Sequence, residues 1–370
     1  MRVDARQVAA FRLMRHHLLS PKTGDPVTVC RDVCGMQAQL MTAARMNIAA
    51  RTRALLRADI EAALWEQRAL VKTLCMRQTV HLLPAAEWHI YARAVRRSRV
   101  AAVVRIMERL RITPADREAL LRATLESLEE GPLSKGELTA RIRPRVSARV
   151  REWMDRVWNA ARLALVEGLI CYGPDRGQEV TFVRVDHWLR GRRAIEEDEA
   201  GRNLLGKFLR AYGPATLRDF CKWSGVPVTE ARAWWDGSAE ERVEVSIGGR
   251  QAWLLRDDVN VFRGAALEGT VVNLLAAFDP FLLAHAEKEH FLDPRFYKRV
   301  YRSHGWVLPV VLANGLAVAT WTHAMERKRL LVSIEPFGTL GRAVRQKIER
   351  EAEHLGWFLG AEPDIVFAAR

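Results

Sequence analysis

Residues 131–138 read "GPLSKGEL" and residues 213–220 read "GPATLRDF", two copies of the pattern Gly-Pro-x-Ser/Thr-x-x-acid-apolar. The spacing has a physical cause. A hydroxyl at Ser134 or Thr216 caps the N-terminus of a helix, while Glu137 or Asp219 folds back to the cap's own N–H. Each copy therefore predicts a helix start. A looser copy, "DPVTVCRDV" at 25–33, puts Thr28 at the cap and Asp32 one place late.

The stretches downstream of the copies are also alike. After 131–138, a helix is expected over roughly 148–168, with Trp153, Val157, Ala161 and Leu165 on one stripe. Then "LICYGPDRGQEVTFVRV" reads as strand, turn, strand. After 213–220 come the helical "VTEARAWWDG" and a hairpin around Gly248-Gly249. Downstream of 25–33, "ALVKTLCMRQTVHLLP" gives two β-rich pieces meeting near Arg77-Gln78. Helix, helix and two-stranded ribbon make a winged helix-turn-helix. The expected fold is α+β and mostly helical, with three such units in tandem and a β-rich C-terminal region bearing a protruding hairpin. The boundaries are 1–125, 126–195, 196–262 and 263–370; the linker "RRAIEEDEAGR" (192–202) ends the second unit.

Charge narrows the function. Fifty-eight Lys and Arg against 44 Asp and Glu leave a net +14 on 370 residues, with a pI near 10.1. Such an excess favours a polyanion, because each neutralised phosphate releases condensed counterions. Arginines cluster at 93–111, at 141–151 and in "DPRFYKRVYRSHGW", where Arg295, Lys298, Arg299, Arg302 and His304 interleave with aromatics. The next stretch, "VLPVVLANGLAVATW", predicts a hairpin turning at Asn314-Gly315, whose small tip Ala313-Asn314-Gly315 suits entry into a DNA groove. Five scattered cysteines without a Cys-x-x-Cys pair argue against a zinc or iron–sulfur centre. Without a signal-peptide core or an apolar run of spanning length, a soluble, cytoplasmic protein without membrane association is expected.

"MQAQ" (36–39), "MRQTVHLLPAAEW", "AYGPATLRDFCKWSG", "AAFDPFLLAH" and "LANGLAVATW" occur in this order along essentially the whole chain. In this the sequence resembles the AlkZ/YcaQ-type tandem winged-helix DNA glycosylases. The resemblance implies excision of N-alkylated bases, chiefly N7-alkylguanine, from double-stranded DNA carrying alkylated or crosslinked purines. The family's catalytic motif, Gln-apolar-Asp/Gln, falls on Gln37, Ala38 and Gln39. The YcaQ-like branch has Asp at the last position; this chain has Gln and matches the AlkZ branch. That branch implies unhooking of interstrand crosslinks, as in self-resistance to azinomycin. DNA contacts are expected from Arg77, His81, Arg295, Lys298, Arg299, Arg302 and the tip Ala313-Asn314-Gly315.

Glutamine neither gives nor takes a proton, but its carbonyl accepts from a water while its amide donates elsewhere. That suffices for a cationic base that leaves uncharged. On an extended segment, side chains at i and i+2 face one way, so both amides can address one water; at a helix start they diverge. Asp279 is either a buried carboxylate that stabilises a cationic sugar or the cap of the turn before Pro280. His81 and His285 either contact phosphate or sit in satisfied core positions. The expected enzyme is a monofunctional, monomeric glycosylase with no metal or organic cofactor. The competing class is a sequence-specific winged-helix regulator without catalysis.

Overall fold

The computed structural model describes residues 1–19, 25–157, 160–191 and 193–368. The chain divides into two compact units that interleave the stretches expected from sequence. One comprises 1–61, 205–223 and 228–370; the other comprises 62–204 and 224–227.

In the second unit, helix Pro114–Ser127 precedes a short strand, Leu133–Ser134, and helix Lys135–Ile142. The capping box at its start is present in full. Ser134 N donates to Glu137 Oε2 at 2.7 Å, and Glu137 N to Ser134 Oγ at 3.4 Å. The stripe expected over 148–168 is two helices, Ala148–Arg156 and Arg162–Glu167; residues 158–159 lie outside the described residues. A ribbon comes next, Ile170–Arg176 against Glu179–Arg184, and Leu133 pairs with Phe182 to make it three-stranded. Earlier in the same unit, Leu70–Leu74 pairs antiparallel with Val80–Pro84. Its turn passes through left-handed Arg77 (φ 52°) and Gln78 (φ 57°), a conformation costly for residues with a Cβ.

The first unit contains the other two capped starts. Thr216 N donates to Asp219 Oδ2 at 2.9 Å and Asp219 N to Thr216 Oγ1 at 3.1 Å, as the spacing predicts. At 25–33 the cap differs from the expected one. Asp25 is the cap, accepting from Val27 N and Thr28 N, Pro26 opens the helix Pro26–Asp32, and Thr28 lies inside it. Gly248-Gly249 turns the ribbon Arg242–Ile247/Arg250–Leu255 with both glycines at positive φ. Arg2–Val3 joins this ribbon in parallel, Arg2 opposite Ser246.

The β-rich region is a five-stranded sheet in the order Val272–Leu275, Val310–Ala313, Leu316–Glu326, Arg329–Pro336, Glu362–Phe367. Helix Arg342–Leu359 buries Ile348, Ala352 and Leu355 in the same core as Leu274, Val311 and Trp321. Ala43 and Met46 of helix Met41–Ala49 enter that core as well.

A polar clasp fixes this last helix. Asn47 Oδ1 accepts from Ala276 N at 2.8 Å while its Nδ2 donates to Ala277 O at 3.1 Å, which mimics one rung of a sheet. One turn on, Arg51 Nη1 and Nη2 each donate to one oxygen of Asp279 at 2.8 Å, and both side chains are fully buried. Removing one partner of such a pair strands the other charge in a low-dielectric core, which costs about 3–5 kcal/mol. Asp279→Ala should therefore lose stability of that order in urea unfolding. The paired replacement Arg51→Met/Asp279→Leu should restore most of it. A single variant within about 1 kcal/mol of wild type would contradict the clasp's structural role.

Candidate catalytic site

The helix Pro26–Asp32 stops because the chain turns through left-handed Cys34 (φ 55°) and Gly35 (φ 93°), with Gly35 N donating to Cys30 O at 2.7 Å. The Tyr212 hydroxyl donates to Val33 O at 2.7 Å and pins the turn from helix Glu197–Tyr212. Met36 and Gln37 are then extended, Gln39 lies in a bend, and Leu40 is the N-cap of the next helix. The two glutamines thus lie on an extended segment running into a helix start. Their surroundings differ sharply. Gln37 is buried, at 5% exposure, between buried Met36 and Ala38, whereas Gln39 is exposed. The first residue is part of the core; the second lies at the surface. The Asn47/Arg51 clasp begins two turns further along the helix that Leu40 opens, so the segment is held from both ends.

Asp279 is not available for chemistry. Besides Arg51, its Oδ1 accepts from Phe281 N at 2.9 Å, capping the turn at Pro280. Of the two readings of this residue, the structure selects the cap, with a guanidinium on its far side. Asn47 and Arg51 are not legible as site supports in the sequence, because their partners lie more than 200 residues away.

His81 is buried at 1% exposure, and its Nδ1 donates to Thr79 O at 2.9 Å. Burial, reinforced by the neighbouring Arg77, pushes its pKa down to about 3, so the ring is neutral. Its Nε2 is then an acceptor, 3.4 Å from Arg77 Nη2. His81 is thus a buried, uncharged ring whose Nε2 lies against the Arg77 guanidinium. His285 is likewise a buried, neutral ring: burial holds its pKa well below the usual range, and Nε2 contacts Tyr212 O at 3.1 Å.

The arginine clusters are less open than their charge suggests. Arg99 is buried and donates to the carbonyls of Leu74, Val95 and Ala92. Arg143 is paired in a fork with Asp155, and Arg145 contacts Glu126. Arg295 closes on Asp293, and Arg299 reaches Glu335 and Pro336 O. Lys298 and Arg302 are exposed and have no ion-pair partner among the described residues.

The expected DNA-inserting tip is docked. Asn314 N donates to Val271 O and its Oδ1 accepts from Val271 N, both at 2.8 Å. Gly315 is buried with φ 81°, and a Cβ there would sit 3.0 Å from Ala9 Cβ. Ala313-Asn314-Gly315 therefore turns as predicted but does not protrude, because the tip packs on helix Ala5–Arg15. The exposed hairpin is the next one. Eight consecutive residues, Thr322–Arg329, are exposed around a tip of Glu326, Arg327, Lys328 and Arg329. Alternating hydrophobicity points to Asn314-Gly315, whereas the "ERKR" tip carries no comparable turn signal.

Among the described residues, no group of three or more His, Cys, Asp or Glu is placed to hold a metal ion. No helix among them is long and apolar enough to cross a membrane.

Comparison with known proteins identifies the family and the overall fold. A family model described as "DNA glycosylase AlkZ-like" matches residues 30–358. An interstrand DNA cross-link repair glycosylase of Streptomyces sahachiroi is 29% identical over 364 residues, covering 96% of each chain. The solved structure of Streptomyces sahachiroi DNA glycosylase AlkZ superposes with a TM-score of 0.88 at 27% identity, covering 100% of both chains. The chain belongs to the DNA glycosylase AlkZ-like family.

Proposed function

We propose that this chain, a DNA glycosylase by family, excises N7-alkylguanine from duplex DNA and unhooks interstrand crosslinks formed through such bases, as an enzyme of self-resistance. The observation that carries the reading is Gln37-Ala38-Gln39 on an extended turn braced from both sides, in a family whose relative is named for cross-link repair. Three stretches of helix, helix and ribbon, ending at Pro84, Arg184 and Leu255, supply the winged-helix units that track phosphates.

Alkylation at N7 makes guanine a cation. As the C1′–N9 bond breaks, its electron pair neutralises the base, so no acid has to protonate the leaving group. The sugar is left electron-poor at C1′. A water adds there, forming the new C–O bond, and its surplus proton passes to solvent. The protein's part is to hold that water in line. Gln37, in the core, and Gln39, at the surface, accept from and donate to it. Neither can act as a nucleophile, so the product is an intact abasic site.

The basic hairpin tip Arg327-Lys328, together with Lys298 and Arg302, contributes phosphate contacts, with Arg77 oriented by His81. Arg327→Ala/Lys328→Ala should weaken DNA binding and lower the slope of log affinity against log salt by about 2, one for each phosphate no longer neutralised. Unchanged salt dependence would remove this hairpin from the interface.

The decisive experiment is release of free 7-methylguanine from alkylated duplex by purified protein under single turnover. Gln37→Ala and Gln39→Ala should each slow release by about 10²-fold, the cost of losing a positioned reactant. DNA affinity should stay nearly unchanged, because phosphate contacts supply most of it. Gln39→Asp should retain activity. Folded Gln37→Ala/Gln39→Ala protein releasing base at the wild-type rate would end the assignment.

A further inference from the structure

The first unit contains a cavity of about 330 Å³ beside the turn that precedes Gln37. Cys34 of that turn lies in its wall, and three residues of chain, at most about 11 Å, separate Cys34 from Gln37. Much of the remaining wall is basic. Arg15, Arg31, Lys207 and Arg210 reach it from three helices, Ala5–Arg15, Pro26–Asp32 and Glu197–Tyr212. Among the described residues, Asp32 is the only acid in that wall.

The carboxylates that offset this charge are already committed. Asp32 Oδ2 contacts His17 Nε2 at 2.8 Å, and its Oδ1 accepts from Arg31 Nε at 3.1 Å. Asp258 does not line the cavity. It is buried, at 2% side-chain exposure, where its Oδ1 accepts from Arg15 Nη2 and lies 3.8 Å from Arg210 Nη1. Two of the cations, by contrast, are within reach of a solvent-borne partner. Side-chain exposure is 46% for Arg31 and 55% for Arg210. Among the described residues Arg210 donates no hydrogen bond, and Arg31 gives its Nε to Asp32 and Nη2 to Thr28 Oγ1 while Nη1 has no acceptor.

Four cations around one concavity repel one another, and the two carboxylates offset only half of their charge. A cleft lined by one sign of charge focuses its field and draws in the opposite sign. We propose that this cavity seats one phosphate of the DNA backbone, shared by Arg31, Lys207 and Arg210, and so anchors the strand beside the Gln37 segment. Guanidinium forks match phosphate oxygens in pairs, whereas an uncharged base would leave the repulsion in place. The seat differs from the exposed tip Arg327-Lys328, where each cation meets its own phosphate. Here the cations converge on one. Free phosphate has the same chemistry, so the test separates the two sources. Only the place of the seated phosphate beside a lesion rests on the glycosylase reading; the binding does not.

The first test is the slope of log affinity against log salt for full-length protein on undamaged duplex. Lys207→Ala/Arg210→Ala removes two charges but one shared phosphate, so the slope should fall by about 1 and not by about 2. A second variant keeps every charge. Val261 lies on the cavity lining and is 43% exposed, so Val261→Trp obstructs the mouth from the surface and should lower the slope by the same amount. The second test moves one uncharged methylphosphonate, position by position, around a tetrahydrofuran abasic site. One position should weaken wild-type binding by at least about tenfold, the worth of a hydrogen bond to a charged group, and leave the double variant unaffected. An unchanged slope in either variant, a fall of about 2 in the double variant, or no position coupled to it would overturn the proposal. Saturable binding of inorganic phosphate, followed by phosphorus NMR, with no coupled position would assign the cavity to the free anion and overturn the DNA contact. A coupled position without base release from alkylated DNA would leave this seat standing and remove the catalytic reading; base release without a coupled position would do the reverse.

Discussion

The buried ion pair between Arg51 and Asp279 is the constraint on which the placement of the candidate site depends. Two charges with no solvent contact are tolerated only when nearly every lone pair and proton is used. Here the carboxylate accepts twice from Arg51 and once from Phe281 N, and the guanidinium also donates to Asn47 O. Such a pair contributes little net stability compared with apolar packing, but it tolerates only one register. Together with Asn47 on Ala276 and Ala277, it sets where helix Met41–Ala49 lies against the strand end at Leu275. The glutamine segment leads directly into that helix, so its position is inherited from a contact between residues 228 apart in sequence.

Local chemistry is legible in the sequence. The capping boxes at Ser134/Glu137 and Thr216/Asp219 form because every atom involved lies within four residues. The turns at Gly248-Gly249 and Asn314-Gly315 form because few other residues accept positive φ at both central positions. Features settled by distant partners are not legible. The parallel pairing of Arg2–Val3 with Ser246–Ile247 has no local signature. The small, polar residues of the Asn314-Gly315 tip suggest protrusion. Val271 and Ala9 dock it instead, and neither is visible from the turn itself. Charge is the least reliable guide. A cluster of arginines looks alike whether it faces phosphate or, like Arg99, caps backbone carbonyls inside the fold.

The site shows the same division. That 36–39 is extended before a helix is a consequence of Gly35 and the helix behind it, but no physical property of two amides marks them as reactive. Only the resemblance does so. The structure adds an asymmetry that the motif does not contain, one glutamine held in the core and the other at the surface. It also removes the alternative of carboxylate chemistry from Asp279, whose oxygens are committed to Arg51 and a backbone amide.

An enzyme that orients water with amides has a kinetic signature distinct from one that abstracts a proton. General bases impose their own titration on the rate, whereas glutamine does not titrate. The most direct test is the single-turnover rate of 7-methylguanine release across about pH 5.5 to 9, at a salt concentration where DNA is saturating. The rate is expected to be flat over this range and to stay above the spontaneous rate at every pH. A sigmoidal or bell-shaped profile governed by an essential carboxylate or imidazole, or no release above background, would contradict it.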